Sequence, residues 1–422
     1  MTLPPGEGYP PQRSSPSTTA IYSIDHCGEE PRLLANDIDF MYTSEGYSAA
    51  LLGCNASSGD VFALDPSGEQ APTRLLKDVG GKIYPTLGGI LGVERGSTED
   101  FGTLTFHPDI TMPSAPSIAL LDEVVVPYTE PRYNNTVFFS VAAETAFAVT
   151  RDGELVSIEL PTRQATVLRT GVAAMDVSVD GRWVLWQEGT PEPPAPQEAG
   201  PVHLLDRTSG EDVYDDIGRV NVLDSNIRID VALIDRADGS SSLVVLPSLE
   251  RIDLEGPGWF ISHRSPPDGL LLGQRLDEQR RFSLYRMDLA SGEPSFLAEV
   301  DDIKVNGEEV IVAIEHDEWD YSYWRVLARA GEPELLAEHA YWPAMLSEDR
   351  IATVRDIDDS HHGDLWIEDP GTGEHTLLDR DVFRFVPGPH PELGHPWPYD
   401  DDVVAWSVHD GDRSGLWAAR VQ

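Results

Sequence analysis

Cations are scarce in this chain. Lys and Arg number 30 against 73 Asp and Glu over 422 residues, a formal net charge of −43. A field of that sign repels nucleic acid and anionic lipid, which are both held through Lys and Arg. Nucleic acid is therefore excluded as a partner, and a basic protein or peptide is favoured. Long apolar runs are absent too. Apolar runs such as Ile118 to Leu121 are strand-sized and fall far short of the roughly 18 residues a membrane span needs, so no membrane insertion is expected. Only two cysteines occur, Cys27 and Cys54, and neither sits in a C-x-x-C or zinc-like spacing. A disulfide between neighbouring repeats and a pair of buried free thiols both fit. No long segment carries a convincing helical period. Enzyme signatures are missing as well: there is no G-x-S-x-G elbow, no H-E-x-x-H, no Walker loop and no G-x-G-x-x-G after a strand.

The amino terminus lacks a basic n-region and an apolar h-region, so it does not read as a signal peptide. As it stands this implies a cytoplasmic protein. A Pro/Ser-rich stretch also follows a cleaved export signal, which would make the protein periplasmic or secreted. Residues 1–19 are expected to be a disordered Pro/Ser-rich tail, with one folded domain over 20–422.

What is abundant is repetition. Ala20 to Leu34, Ser283 to Leu297 and Asp364 to Leu378 share one pattern: a hydrophobic–aromatic pair, an acid, a Gly turn, then a short apolar stretch. The pair recurs at Ile21-Tyr22, Val61-Phe62, Leu284-Tyr285, Tyr323-Trp324, Leu365-Trp366 and Leu416-Trp417, with weaker copies at Leu155-Val156, Val202-His203 and Leu243-Val244. An acid follows most of them: Asp25, Asp65, Glu159, Asp206, Asp288 and Asp369. Alternation with aromatic and β-branched residues reads as a strand with one buried face. Gly68, Gly210, Gly292 and Gly373 then supply the positive φ of a tight turn, and pairs such as Leu75-Leu76, Val167-Leu168, Leu335-Leu336 and Leu377-Leu378 close each unit. Upstream, Met175 to Trp186 forms two strands around the Asp180-Gly181 turn. Each unit thus holds four antiparallel strands. Tyr285, Trp324, Trp366 and Trp417 are expected in the core between units.

Four-stranded units repeating at roughly 40 residues are the blades of a β-propeller. The stretches V-D-G-R-W-V-L-W and S-L-Y-R-M-D-L-A-S-G-E-P resemble the repeat of TolB-type, WD40-like propellers. The resemblance implies an all-β fold, a single β-propeller over about residues 20 to 420. The marks lie 39 to 51 residues apart, except for an interval of 94 between Phe62 and Val156. Eight blades are expected, with seven or nine as alternatives; nine applies if that interval holds two units. The last unit lacks a closing strand, so pairing of the amino- and carboxy-terminal segments is expected to latch the ring and remove its edges.

The connections between second and third strands are acid-rich. Glu315 to Asp320 contains Asp317, Glu318 and Trp319. Arg355 to Asp364 contains Asp356, Asp358, Asp359, His361 and His362. Val408 to Arg413 contains Asp410 and Asp412, and Asp277 and Glu278 lie in another. In a four-stranded meander these loops share an end with the crossings between units, where Asp301, Asp302, Asp379 and Asp381 lie. The expectation is an acidic rim, diluted by Arg275, Arg355 and Arg413, that binds a basic partner. The alternative is that Asp simply suits turns. Trp319, Trp342 and Trp397 are candidate anchors at the same end.

No cofactor is expected. Ca²⁺ at Asp356, Asp358, Asp359 and Asp364, or another divalent metal at His361, His362, Asp364 and His395 with His390 nearby, are the candidate exceptions. The functional expectation is a non-catalytic propeller that binds or scaffolds a protein or peptide. The alternative is a propeller enzyme with a metal-assisted site at the channel mouth.

Overall fold

The computed structural model describes the chain apart from residues 1–20, 24–31, 36–37, 45–46, 56–57, 65–70, 87, 99, 128–135, 192–198, 221–226, 228–230, 237, 257, 266–268, 276–280, 288–291, 307–308, 318–319, 328–332, 346–349, 359–361, 370–371, 387–402, 409–414 and 421–422; in several strands only the backbone is described. The described residues contain strands and turns and no helix, and so no helix long and apolar enough to cross a membrane. The chain divides into two compact units, one over Pro4–Pro257 and one over Gly258–Gln422.

In the first unit, β1 (Ile21–Ser23) pairs with β2 (Arg32–Ala35). A seven-stranded sheet follows: β3 (Ile38–Ser44), β4 (Tyr47–Asn55), β5 (Ser58–Leu64), β6 (Thr73–Pro85), β7 (Ile90–Thr98), β8 (Phe101–His107) and β9 (Ile118–Val125). A four-stranded sheet comes next: β10 (Val137–Ser140), β11 (Thr145–Val149), β12 (Leu155–Glu159) and β13 (Gln164–Arg169). A second seven-stranded sheet completes the unit: β14 (Val172–Val177), β15 (Trp183–Glu188), β16 (Gly200–Asp206), β17 (Glu211–Arg219), β18 (Val231–Arg236), β19 (Ser241–Val245) and β20 (Glu250–Leu254).

The second unit opens with a four-stranded sheet: β21 (Trp259–Ser265), β22 (Gly269–Arg275), β23 (Phe282–Met287) and β24 (Pro294–Val300). A nine-stranded sheet follows: β25 (Asp302–Asn306), β26 (Glu309–Asp317), β27 (Asp320–Leu327), β28 (Glu334–Met345), β29 (Ile351–Arg355), β30 (Gly363–Asp369), β31 (Glu374–Val386), β32 (Val403–Val408) and β33 (Gly415–Arg420).

Every sheet runs in chain order. The larger ones are meanders joined by a shared strand, four-stranded except for the last, which holds the end of β31 with β32 and β33. The first part of β28 pairs with β27 through Tyr321↔Ala340, and the rest pairs with β29 from Ala340↔Arg355 to Met345↔Ile351. β6, β17 and β31 change partner in the same way, β17 at Gly218 and β31 at Val382. The interval between Phe62 and Val156 therefore holds a meander of its own, from the second part of β6 through β9. Among the described residues β1 is laddered to β2 and β33 to β32; the latch expected between the chain ends is not among these ladders.

Burial differs from the one-faced pattern read from the sequence. On β11, Ala146 and Ala148 enter a cluster with Leu91, Val93, Leu104, Val156 and Ile158, while Phe147 and Val149 enter another with Met175, Val177, Val184 and Leu205. Successive side chains point to opposite faces of a strand, so both faces of this meander are packed, each against a neighbour. Trp183, Leu185, Ala232, Ile234 and Val244 repeat the arrangement one meander on. In the second unit Val312 and Ala313 again split between two clusters. The fourth strands carry the solvent-facing residues: Val167 is 51% exposed and Leu335 37%.

The recurrent pair is also resolved. Val61, Leu284, Tyr323 and Leu365 are buried, whereas Tyr285, Trp324 and Trp366 are only half-buried. Trp324 packs, as expected, on the cluster of Leu284, Val300, Val312 and Val326 formed by two successive meanders; the side chain of Trp417 lies outside the described residues.

The recurrent acid has a structural job. The amide of Gly210 donates to the Asp206 carbonyl and that of Gly373 to the Asp369 carbonyl, both at 2.8 Å, closing the turn between strands three and four. The carboxylates of Asp206 and Asp369 accept the amides of Thr208 and Thr372 within those turns. Gly210, Gly292 and Gly373 have φ of +74°, +70° and +71°, the left-handed conformation in which glycine has no Cβ penalty.

Candidate functional site

In a meander the turns joining strands one to two and three to four lie at one end. The loop joining two to three, and the crossing to the next meander, lie at the other. One such loop end belongs to β29, β30 and β31, with residues 359–361 outside the described residues. Arg355 closes β29, and its Nε donates to Glu368 Oε1 at 3.0 Å while Nη2 donates to Oε2. The buried Thr353 hydroxyl donates to the same carboxylate. This grip fastens β29 to β30 beneath the loop.

The loop then turns on itself. Asp356 has φ +53°. The amide of Asp358 donates to the carbonyl of His362 at 2.8 Å, and the amide of His362 donates to Asp358 Oδ1 at 3.0 Å. Gly363 follows because a Cβ there would lie 2.6 Å from the Arg355 carbonyl oxygen and from Val354 Cγ1.

Asp364 comes next on β30, opposite Arg355. On its other side β31 bulges: Gly363 pairs with Val382 and Leu365 with Asp379, leaving Arg380 and Asp381 looped out. Asp381 has φ +56°, and Asp379 Oδ1 accepts the Arg380 amide at 2.8 Å. Asp364, which ends the loop, thus faces the crossing stretch from Asp379 to Asp381. Burial pushes the Asp364 carboxyl above the usual range; Arg380 opposes that, and Asp356, Asp381 and Asp379 push it further up.

The preceding meander shows the same convergence on a smaller scale, where Asp301 at the β24–β25 crossing accepts the amide of the exposed Glu315 at 2.8 Å. Its expected loop is shorter than the sequence suggested. β26 runs to Asp317, which pairs with Asp320 on β27, so only residues 318 and 319 lie between the strands. The side chain of Asp317 is not described, and Glu318, Trp319, Asp359, His361, Asp410, Asp412, Asp277, Glu278, His390, His395 and Trp397 lie outside the described residues. Trp342 is placed on β28 by its backbone alone. Among the described residues no three His, Cys, Asp or Glu side chains are disposed to hold a metal ion.

Sequence reading missed the Thr353–Arg355–Glu368 grip, because its members meet only through cross-strand register. It also missed His203. That ring stacks on Trp186 at 4.2 Å between centroids, with Nδ1 2.5 Å from Asp215 Oδ1 and Nε2 3.1 Å from Glu188 Oε1. Trp186 Nε1 donates to Asp212, which also receives Arg169 from β13. The only signal was a weak repeat mark at Val202-His203.

No protein-family model matches this chain, and no curated protein matches it in sequence. Among solved structures, the beta-propeller domain of Cps50 (Swd1) from Myceliophteria thermophila is similar at 15% identity, over 67% of this chain and 94% of that one, with a TM-score of 0.32. Dipeptidyl peptidase 4 from Porphyromonas gingivalis is similar at 10% identity, over 90% of this chain and 57% of that one, with a TM-score of 0.47. A chain of the Mitotic Checkpoint Complex is similar at 13% identity, over 69% of this chain and 91% of that one, with a TM-score of 0.34.

Proposed function

We propose that this chain is a closed, TolB-like β-propeller that binds a basic protein or peptide segment at the acidic loop ends of its blades. Chain-order meanders support the fold, together with burial on both faces of strands such as β11 and β26 and strands that pass from one meander to the next. A propeller is the architecture in which units pack only on their neighbours and need no other core. The extra meander between Phe62 and Val156 favours nine blades over eight, with the last completed by the amino-terminal strands.

The binding reading is carried by one observation: Asp364, at the end of the Asp356-containing loop, faces the bulge of β31 between Asp379 and Val382, which holds Arg380 and Asp381. Fixed carboxylates in a chain of net charge −43 focus a field that steers basic ligands. The test is fluorescence anisotropy with a labelled, unstructured Lys/Arg-rich peptide against the wild type and the D356K/D358K/D381K variant. Reversal should weaken binding by about tenfold or more, equivalent to about 1.4 kcal/mol, and flatten its salt dependence. Equal binding by both proteins removes the acidic loop end as the site.

A further inference from the structure

The last strand of a sheet presents unpaired N–H and C=O groups, and proteins guard such edges with charges, Pro or a cover. Among the described strands that stand fourth in a meander, β9, β13, β20 and β24 each end a sheet. β9 is guarded by the exposed Asp122 and Glu123, and β20 by Glu250, Arg251 and Asp253. β13 is uncharged from Gln164 to Leu168, but Arg163 and Arg169 bound it.

β24 is built differently. Pro294 blocks only its first position, and Ser295, Phe296, Leu297 and Ala298 follow without a charge before Glu299. Phe296 is 57% exposed. It sits directly opposite Tyr285, ring centroids 5.7 Å apart and edge-on, and Tyr285 lies 4.9 Å from the buried Trp259. The ring is thus the outer member of an aromatic row rooted in the packed sheet. Ser295, its neighbour, is held by its hydroxyl donating to the Arg286 carbonyl at 3.0 Å. The exposed Glu293 and Glu299 stand on either side of this uncharged stretch.

We propose that β24 accepts an extended basic segment of a partner protein as an added strand. Main-chain hydrogen bonds supply the pairing, as in other strand-addition complexes. The stem of a Lys or Arg, or an aliphatic side chain, lies across Phe296. Further cations meet Glu293 and Glu299. A basic segment fits this edge and not β13, where the flanking charges are Arg163 and Arg169. The site is distinct from the acidic loop end, on other residues of the same unit.

The experiment titrates the full chain with a short labelled peptide of alternating Lys and Val, and with the same peptide N-methylated at every second amide. Methylation blocks strand pairing and leaves the charge unchanged. The parent peptide should bind, and methylation should weaken it by about tenfold or more, equivalent to about 1.4 kcal/mol. F296S should weaken it by a similar factor, the usual effect of losing an aromatic anchor, with an unchanged melting temperature showing that the fold is intact. The loop-end reversal D356K/D358K/D381K should leave this methylation-sensitive binding in place. Equal binding of the two peptides, or indifference to F296S, overturns the proposal. So does sensitivity to the loop-end reversal alone, or a wild-type dimer in sedimentation that F296S dissolves, since a second copy would then occupy the edge.

Discussion

Arg182 holds Asp206 at two points, Nε 3.2 Å from Oδ1 and Nη2 3.0 Å from Oδ2. The pair ties the β14–β15 turn to the β16–β17 turn, and the guanidinium also lies 4.3 Å over the Trp183 ring. The Arg182 hydrogen bond holds the Asp206 carboxyl below the usual range; burial opposes this, and the Thr208 amide adds to it.

A depressed carboxyl stabilises the fold above its unfolded value of about 3.9 and loses that contribution as pH falls through the folded value. D206N should therefore be less stable than wild type at pH 6. The deficit should be about 1 kcal/mol, since Arg182 is 42% exposed and water screens the pair. The gap should close as pH falls below about 4. Thermal melts across that range check this; a gap independent of pH would show that the charge contributes nothing.

Asp364 works in the opposite direction. Its raised carboxyl favours the folded state when protonated, so its contribution is present at low pH and lost as pH rises through the folded value. D364N should raise stability at pH 7 by about 0.5 kcal/mol, the low end for relieving a charge conflict. The difference from wild type should vanish below about pH 4. Lower stability of D364N at neutral pH would mean that the carboxylate is an essential acceptor.

Two of the described turns between third and fourth strands use the left-handed conformation without glycine. Arg163 has φ +59° and Leu249 +62°, and each donates its amide at 2.7 Å across the turn, as Gly210 and Gly373 do. Such a residue costs about 1–2 kcal/mol relative to glycine. R163G, at an exposed site, should stabilise the protein by about 1 kcal/mol in urea titration. L249G should gain less, because Leu249 packs on the cluster containing Val244 and Leu246.

Gly218 is where β17 changes partner, pairing with Gly200 on β16 and Arg236 on β18. A Cβ there would lie 2.3 Å from the Asp235 carbonyl oxygen. Backbone cannot yield cheaply, so G218A should cost about 2–3 kcal/mol, the upper part of the range for overpacking. A loss within experimental error in urea titration would show that the shared strand bends more easily than its spacing suggests.

The strands and turns were readable because their chemistry is local. Gly210, Gly292 and Gly373 sit where the turn needs positive φ, and Asp180-Gly181 forms the expected hairpin, its Gly181 amide donating to the Ser178 carbonyl at 2.7 Å. The meander between Phe62 and Val156 was readable only as an alternative. Its third strand, F-G-T-L-T-F-H, runs on into Pro108 to Ser117 without the acid-and-glycine turn that marks the others. The Glu315 to Asp320 stretch was mistaken for a loop because acids suit turns, although the ladder extends almost to its tip.

The acidic end divides along the same line. Hydrophobic alternation and turn chemistry act over a few residues, so composition and spacing were enough to establish an all-β chain of repeated antiparallel meanders and to place Asp364, Asp379 and Asp381 at a common end. Folding in three dimensions settled the rest. It left the third-strand aromatics half-buried, bulged β31 at Arg380 and Asp381, and joined Arg355 to Glu368. Those outcomes depend on which strand pairs with which residue of its neighbour and on which faces are covered, and both are set by packing between segments far apart along the chain.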